Sequence, residues 1–290
     1  MSMAISIAHL GPTGTNAETA TLAYQRWLEQ KEGKKSFLCP YPTIVQSLYA
    51  VAYGETQQAV VPVENSTEGT VAIILDSLWQ LDKLKIQQEL VLPISHALLS
   101  RRKSLKGLRT VYSHPQALAQ CQHWLEQNLP SVSLISTNST TEALHQIDLD
   151  FTSAAISSPR AAKLYNYPIL INDINDYPDN CTRFWILELT PTTIKGSRIS
   201  LGFSVPDNIP GALVRPLEVF AKRGINLSRI ESRPTKRSLG EYLFFVDLEI
   251  NSEFNSIEEA LGELRIYTET LKILGSYRVL SLKKIDIAQF

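Results

Sequence analysis

Thr190-Pro-Thr-Thr-Ile-Lys-Gly-Ser197 interrupts the chain directly behind an apolar run at 184–189, and no other stretch breaks its texture so clearly. Hydroxyl residues, a proline and a glycine in one short run make a typical connection between separately packed units. The expected division is residues 1–190, a linker at 191–197 and residues 198–290.

Ahead of the break, short strand-like runs alternate with helical patterns, which predicts an α/β unit on a mainly parallel sheet. Strands are expected at 4–10, 59–63, 94–99, 108–112, 132–135, 153–156 and 184–189. Helices are expected at about 17–31, 44–53, 70–81, 115–127, 140–147 and 158–165. Thr15 or Asn16 would cap the first helix and Gly33 would stop it. Behind the break come a strand at 199–205, a helix at 210–223 with Leu213, Leu217, Phe220 and Ala221 on one face, and strands at 225–230 and 242–250. The capping box Ser256-Ile-Glu-Glu259 then opens a helix with Ile257, Ala260, Leu261, Leu264 and Leu271 inward, closed by Gly275 and followed by a strand at 277–282. The order βαββαβ is that of a ferredoxin-like sandwich.

Of the 290 residues, 44% are apolar, enough for more than one core. Lys+Arg 28 against Asp+Glu 29 leaves a formal charge of -1, so no global field draws the protein to nucleic acid or a membrane, and an anionic ligand must be held locally. Cys39, Cys121 and Cys181 stand far apart, which indicates neither a disulfide framework nor a structural zinc. The first residues carry no basic leader, and no run approaches the roughly 18 apolar residues of a membrane helix. A soluble cytoplasmic protein is expected.

Four segments are rich in groups that a core does not need and an oxygen-rich ligand does. Gly11-Pro-Thr-Gly-Thr15 follows a strand and opens a helix, so its N–H groups form either an anion seat or a strained turn with a cap. Glu64-Asn-Ser-Thr67 stands at a strand end, where open α/β sheets bind ligands, although Ser66 or Thr67 would cap a helix anyway. In Ser113-His-Pro-Gln116 no acidic partner accompanies His114, so a capping or hydrogen-bonding role suits it better than that of a base. Asn180-Cys-Thr-Arg-Phe184 puts Thr182 and Arg183 at the rim, where Arg183 offers a bidentate fork for a carboxylate or joins an ordinary ion pair. Cys181 reads as a small packed residue.

Together, Gly11-Pro-Thr-Gly-Thr15, Val63-Glu-Asn-Ser66, Ser113-His-Pro-Gln116 and Asn180-Cys-Thr-Arg-Phe184 resemble the motif set of the prephenate dehydratase family. Gly211-Ala-Leu-Val214 and Glu231-Ser-Arg-Pro234 resemble the two phenylalanine-binding motifs of its regulatory ACT domain, in the monofunctional bacterial form. The resemblance implies a catalytic domain of two α/β lobes, like type II periplasmic binding proteins, with the site in the cleft. It implies Thr182, Arg183 and Phe184 as catalytic residues, with Thr182 assisting the departing hydroxyl, and Thr15, Asn65, Ser66, Thr67, Ser113 and Gln120 as substrate-binding residues. Loss of carbon dioxide and of the 4-hydroxyl from prephenate would give phenylpyruvate, without a metal or other cofactor. Gly211, Ala212, Leu213 and Val214 of one chain with Glu231, Ser232, Arg233 and Pro234 of another would hold phenylalanine, in a homodimer or homotetramer.

The segment Ser136-Thr-Asn-Ser-Thr-Thr-Glu142 has Asn138 where some relatives place an acid, so no proton donor is assigned there, and Glu142 reads as a solvated helix residue. Arogenate in place of prephenate, or a non-catalytic amino acid binding regulator, are the alternative readings. The intact Thr182, Arg183 and Phe184 weigh against the regulator.

Overall fold

Thr15 caps the first helix as its hydroxyl accepts from the Glu18 amide at 3.3 Å, and Gly33 stops the continuation of that helix in the left-handed conformation, φ 65°. The computed structural model describes residues 4–191, 196–206, 209–250 and 254–282. Part of the linker at 191–197 and the side chain of Ser256 lie outside the described residues.

The first lobe contains β1 (Ile5–Leu10), α1 (Asn16–Trp27), β2 (Ser36–Tyr41), α2 (Ile44–Ala52), β3 (Gln58–Asn65), β4 (Gly69–Thr70), α3 (Ala72–Gln80) and β5 (Lys85–Pro93). The second contains β6 (Ala97–Leu99), β7 (Thr110–Ser113), α4 (Pro115–Ala119), α5 (Gln122–Asn128), β8 (Ser133–Ser136), α6 (Glu142–Leu149), β9 (Ser153–Ser157), α7 (Pro159–Leu164) and β10 (Ile169–Ile171). The chain then returns to the first lobe as β11 (Cys181–Glu188). It ends with β12 (Arg198–Ser204), α8 (Val214–Ala221), β13 (Asn226–Pro234), β14 (Tyr242–Glu249), α9 (Phe254–Leu264) and β15 (Thr270–Ser281). Two crossings join the lobes and brace each other: the Ile94 amide donates to the Asn180 carbonyl at 2.8 Å and the Ile174 amide to that of His96 at 3.0 Å.

The second lobe is a sheet of order β10-β6-β9-β7-β8. The first lobe and the C-terminal sandwich share one sheet, β13-β14-β12-β15-β5-β11-β3-β1-β2, with β4 added on β3. Both sheets are mixed rather than mainly parallel: in one, β11 returns from the other lobe and runs antiparallel to β3 and to β5, and in the other β6 runs antiparallel to β9 and to β10. The seam between domains is the parallel pairing of β15 with β5.

That seam corrects the expected end of the chain. The last helix stops at Leu264 and begins at Phe254, ahead of Ser256, and Leu271 and Gly275 belong to a strand. Gly275 sits at register shifts of β15 against both neighbours and stops no helix. A Cβ there would lie 2.6 Å from that of Ile86 and closer still to the Ile86 carbonyl oxygen. Gly275→Ala is expected to lower stability by about 3 kcal/mol, the upper part of the overpacking range because backbone is struck, and thermal unfolding would show it.

Side-chain alternation along β11 separates two environments. Phe184 and Ile186 join Ile7, Tyr24, Val60 and Leu90 beneath α1. Trp185 and Leu187 face the other way, into a core shared by Leu75 and Leu78 of α3 and by Leu243, Phe245, Leu274 and Tyr277 of the C-terminal sheet. That sheet is therefore covered on both faces, since α8 and α9 pack Val219, Phe220, Ala260 and Leu264 on its opposite side.

Candidate active site

Between the lobes lies a cavity of about 740 Å³, walled by Pro12, Thr15, Asn65, Thr182 and Phe184 from the first lobe and by His114, Thr141, Glu142 and Tyr165 from the second. Thr182 and Phe184 reach it from one face of β11. Asn65 reaches it because β3 and β11 slip register between Arg183 and Phe184, so that Arg183 pairs with Glu64 and Phe184 with Pro62. The extra residue is Val63, which packs on the side of the C-terminal sheet together with its neighbour Glu64, leaving Asn65 on the cavity side.

Asn65 is 5% exposed and its amide is fully engaged. Its Oδ1 accepts from the backbone amides of Thr67 at 3.0 Å and Glu68 at 3.2 Å, which fixes the orientation of the amide group. Its Nδ2 therefore donates to Asn180 Oδ1 at 2.9 Å and to Thr182 Oγ1 at 3.0 Å. Among the described residues, the Thr182 hydroxyl donates to no protein acceptor. Its proton is free for a ligand, and the amide that donates to its oxygen makes it a stronger donor.

Thr15 and Asn65 line the cavity, while Ser66, Thr67, Ser113 and Gln120 do not: Ser66 and Thr67 are exposed, and Ser113 and Gln120 are buried. Ser66 Oγ donates to Asn180 Oδ1 at 3.2 Å and accepts from the Cys181 amide at 3.0 Å; Thr67 Oγ1 donates to Asn65 Oδ1 at 2.6 Å. Ser113 is buried and donates to the Ile156 carbonyl at 2.7 Å. Gln120 donates to Asn65 Oδ1 at 3.2 Å and accepts from Asn180 Nδ2 at 2.9 Å and His96 Nε2 at 2.8 Å. Burial lowers the pKa of His96, so it stays neutral with its proton on Nε2. His114 caps α4, its Nδ1 accepting from the Gln116 amide, and also faces the cavity.

The anion seat at 11–15 is taken by the protein itself. Glu18 of α1 accepts from the Gly14 amide at 2.7 Å and pairs with Arg160 of the second lobe at 2.7 Å, while the Tyr165 hydroxyl donates to the Thr13 carbonyl at 2.9 Å. The loop thus ties the lobes together across the cavity. Sequence reasoning missed Arg160 and Tyr165, which carry no local signal. Glu142 faces the cavity rather than solvent, accepting from the Asn138 amide at 2.8 Å, while its own amide donates to Ser139 Oγ at 3.0 Å. Ser139-Thr-Thr-Glu142 is a capping box, a signal that could have located it.

Arg183 does not line the cavity. It points to the opposite face of β11, toward the C-terminal sheet, where its fork serves protein carboxylates: Glu64 at 2.6 Å, Glu89 at 2.5 Å and Asp247 of β14 at 2.8 Å. Glu89 is fully buried and also meets Arg198 at 2.6 Å, and the Trp185 indole donates to it at 3.2 Å. Asp247 is 1% exposed, accepts from Ser200 Oγ at 2.5 Å and faces Arg229 at 3.4 Å. Burial opposes charge on both members of the pair, yet Asp247 and Glu89 hold the Arg183 pKa above its ordinary value, and Arg183 with Arg229 holds that of Asp247 below.

In the C-terminal sandwich, Gly211 has φ 82° and begins the loop into α8. Glu231 and Arg233 face the first lobe, Glu231 accepting from Thr70 Oγ1 at 3.0 Å and Arg233 gripping Asp76 at 3.0 and 3.2 Å. Ser232 and Pro234 point outward from the open edge of the sheet, as does Ile230, which is 43% exposed.

A cleft walled by hydroxyl and amide groups between two α/β lobes, joined through one sheet to a βαββαβ sandwich, defines a small-molecule enzyme with an attached ligand-sensing domain. Residues 7–192 match the prephenate dehydratase family and residues 199–265 the ACT domain. The prephenate dehydratase of Lactococcus lactis subsp. lactis (strain IL1403) is 37% identical over 96% of this chain and 99% of its own length. The bifunctional chorismate mutase/prephenate dehydratase of Aquifex aeolicus is 42% identical over 94% of this chain and 73% of its own. A crystal structure of prephenate dehydratase from Arthrobacter aurescens in complex with L-Phe superposes with a TM-score of 0.81 at 32% identity, covering 94% of this chain and 90% of that one. The chain belongs to the prephenate dehydratase family.

Proposed function

We propose that Thr182 assists the departing 4-hydroxyl as this chain, with residues 1–190 as its catalytic domain, converts prephenate to phenylpyruvate, carbon dioxide and water. The supporting observation is the Thr182 hydroxyl facing the cavity, accepting from Asn65 and leaving its own proton unclaimed. The ring carboxylate leaves as carbon dioxide, its bonding pair enters the ring, and the C4–O bond breaks with aromatisation. The oxygen leaving C4 gains negative charge, and a preorganised donor stabilises that charge most in the transition state. An aliphatic alcohol is too weak an acid to protonate it alone, so Thr182 orients and stabilises it. Thr15 and Asn65 contact the substrate, Thr67 and Gln120 hold Asn65 in place, and Ser66 acts on it through Asn180. No metal or other cofactor enters this scheme.

Residues 198–290 form the phenylalanine sensor in this reading. Ile209, Val214 and Ile230, 61%, 54% and 43% exposed, flank the Gly211 loop and the outward face of β13. A second copy seated on that edge would bring Gly211, Ala212, Leu213 and Val214 of one chain to Ser232 and Pro234 of the other, in a cytoplasmic homodimer or homotetramer.

Purified protein supplied with prephenate is expected to form phenylpyruvate, and L-phenylalanine at about 100 times its Kd should raise stability by about 2.7 kcal/mol and change the rate. No phenylpyruvate removes the reaction from the reading. An unchanged rate and thermal midpoint at saturating phenylalanine remove the sensor.

A further inference from the structure

Among the described residues outside the cavity, the largest concentration of buried charge is the cluster around Arg183, and the reaction scheme above does not use it. We propose that Asp247, supplied by the C-terminal domain, is a positioning residue for Thr182: through Arg183 it fixes the register in which β11 holds Thr182 against Asn65. The inference rests on Thr182 being the group that acts on substrate.

Thr182 and Arg183 are adjacent on β11 and point to opposite faces of the sheet. On the cavity face Thr182 pairs with Asn65, and on the sensor face Arg183 bridges Glu64, the residue before Asn65, to Asp247. The same guanidinium therefore holds both strands of the pair at the place where their register slips, a place the backbone ladder secures least. Ser200 and Arg229 hold Asp247 in turn. Arg229 lies on β13, the strand that carries Glu231, and Thr70 hydrogen-bonds with both Arg229 and Glu231. Thr70 belongs to β4, which pairs with Glu64 and Asn65. The sensor strand thus touches the catalytic strand pair through two contiguous routes, and the alignment of Thr182 is incomplete without the sensor domain.

The test uses the full chain with Asp247→Asn, which keeps the shape and removes the charge. Turnover is expected to fall on the order of 10-fold, with KM for prephenate within about threefold of wild type. Amide exchange should accelerate at 64–66 and 181–183 and stay unchanged at 154–156 in the second lobe. The double variant Asp247→Asn/Arg183→Met should regain thermal stability, because charge is balanced again, without regaining turnover. Asp76→Asn, which breaks the contact with Arg233 and Lys236 elsewhere at this junction, should lose stability alone.

Unchanged turnover in Asp247→Asn, recovery of turnover in the double variant, or an equal loss in Asp76→Asn would each overturn the proposal. Should Asp247→Asn fail to fold, Ser200→Ala loosens the same carboxylate with its charge intact and is expected to lower turnover about threefold; no change there overturns the proposal too. Wild-type protein inactive on prephenate would remove the proposed reaction only, since amide exchange still reads the register.

Discussion

Replacing Thr182 with alanine is expected to lower kcat for phenylpyruvate formation about 10²- to 10³-fold, the usual loss when one preorganised donor is removed from a closed site. KM should change little, because the donor acts on charge that develops only as the C4–O bond breaks. Thr182 is half-buried and its side chain receives a hydrogen bond rather than filling a core, so stability should fall by no more than about 1 kcal/mol. Thr182→Ser keeps the donor and should retain part of the rate. A steady-state comparison of the three proteins decides the matter, and an alanine variant with wild-type kcat eliminates the assignment.

Arg183→Met is expected to have the largest effect on stability, about 3–5 kcal/mol at neutral pH, or a fall in thermal midpoint on the order of 10 °C. Methionine fills much of the volume but strands carboxylates that are buried. The lower part of the range applies because Arg198 still meets Glu89 and Arg229 still meets Asp247. The pH dependence has a definite sign. In the wild type the Asp247 pKa is depressed, so its contribution is complete above its unfolded value of about 3.9 and is lost only as pH falls through the lower folded value. Without Arg183 the stranded carboxylates gain protons more readily in the folded state, so the difference between variant and wild type should narrow as pH falls from 7 toward 4. A difference that stays constant over that interval, measured by denaturant unfolding, would show that the charge is not responsible.

What could be read in the sequence followed from local chemistry. Thr15 as a cap, Gly33 as a stop, the alternation of 199–205 and the motif residues around Asn65 and Thr182 declare themselves within a few positions. The strand Lys85–Pro93 did not, because it opens with lysine and two glutamines and carries Glu89 at zero exposure. A buried glutamate makes sense only with Arg183 and Arg198, which lie far along the chain. The cavity wall shows the same limit: Ser113 and Gln120 look like ligand-binding residues in isolation, yet their partners are the Ile156 carbonyl and the Asn65 amide. The pattern at 115–127 predicts one helix, and the structure breaks it at Gln120 and Cys121, where Gln120 turns in to meet His96 and Asn180.

The parallel joining of β15 to β5 has a further consequence. Strand β5 would have a bare flank of amides and carbonyls if the last strand were withdrawn, and such flanks recruit foreign strands. The C-terminal part therefore doubles as a guard against self-association of the part that does the chemistry. A lineage could not lose that part by simple truncation without also inheriting a sticky, half-finished sheet.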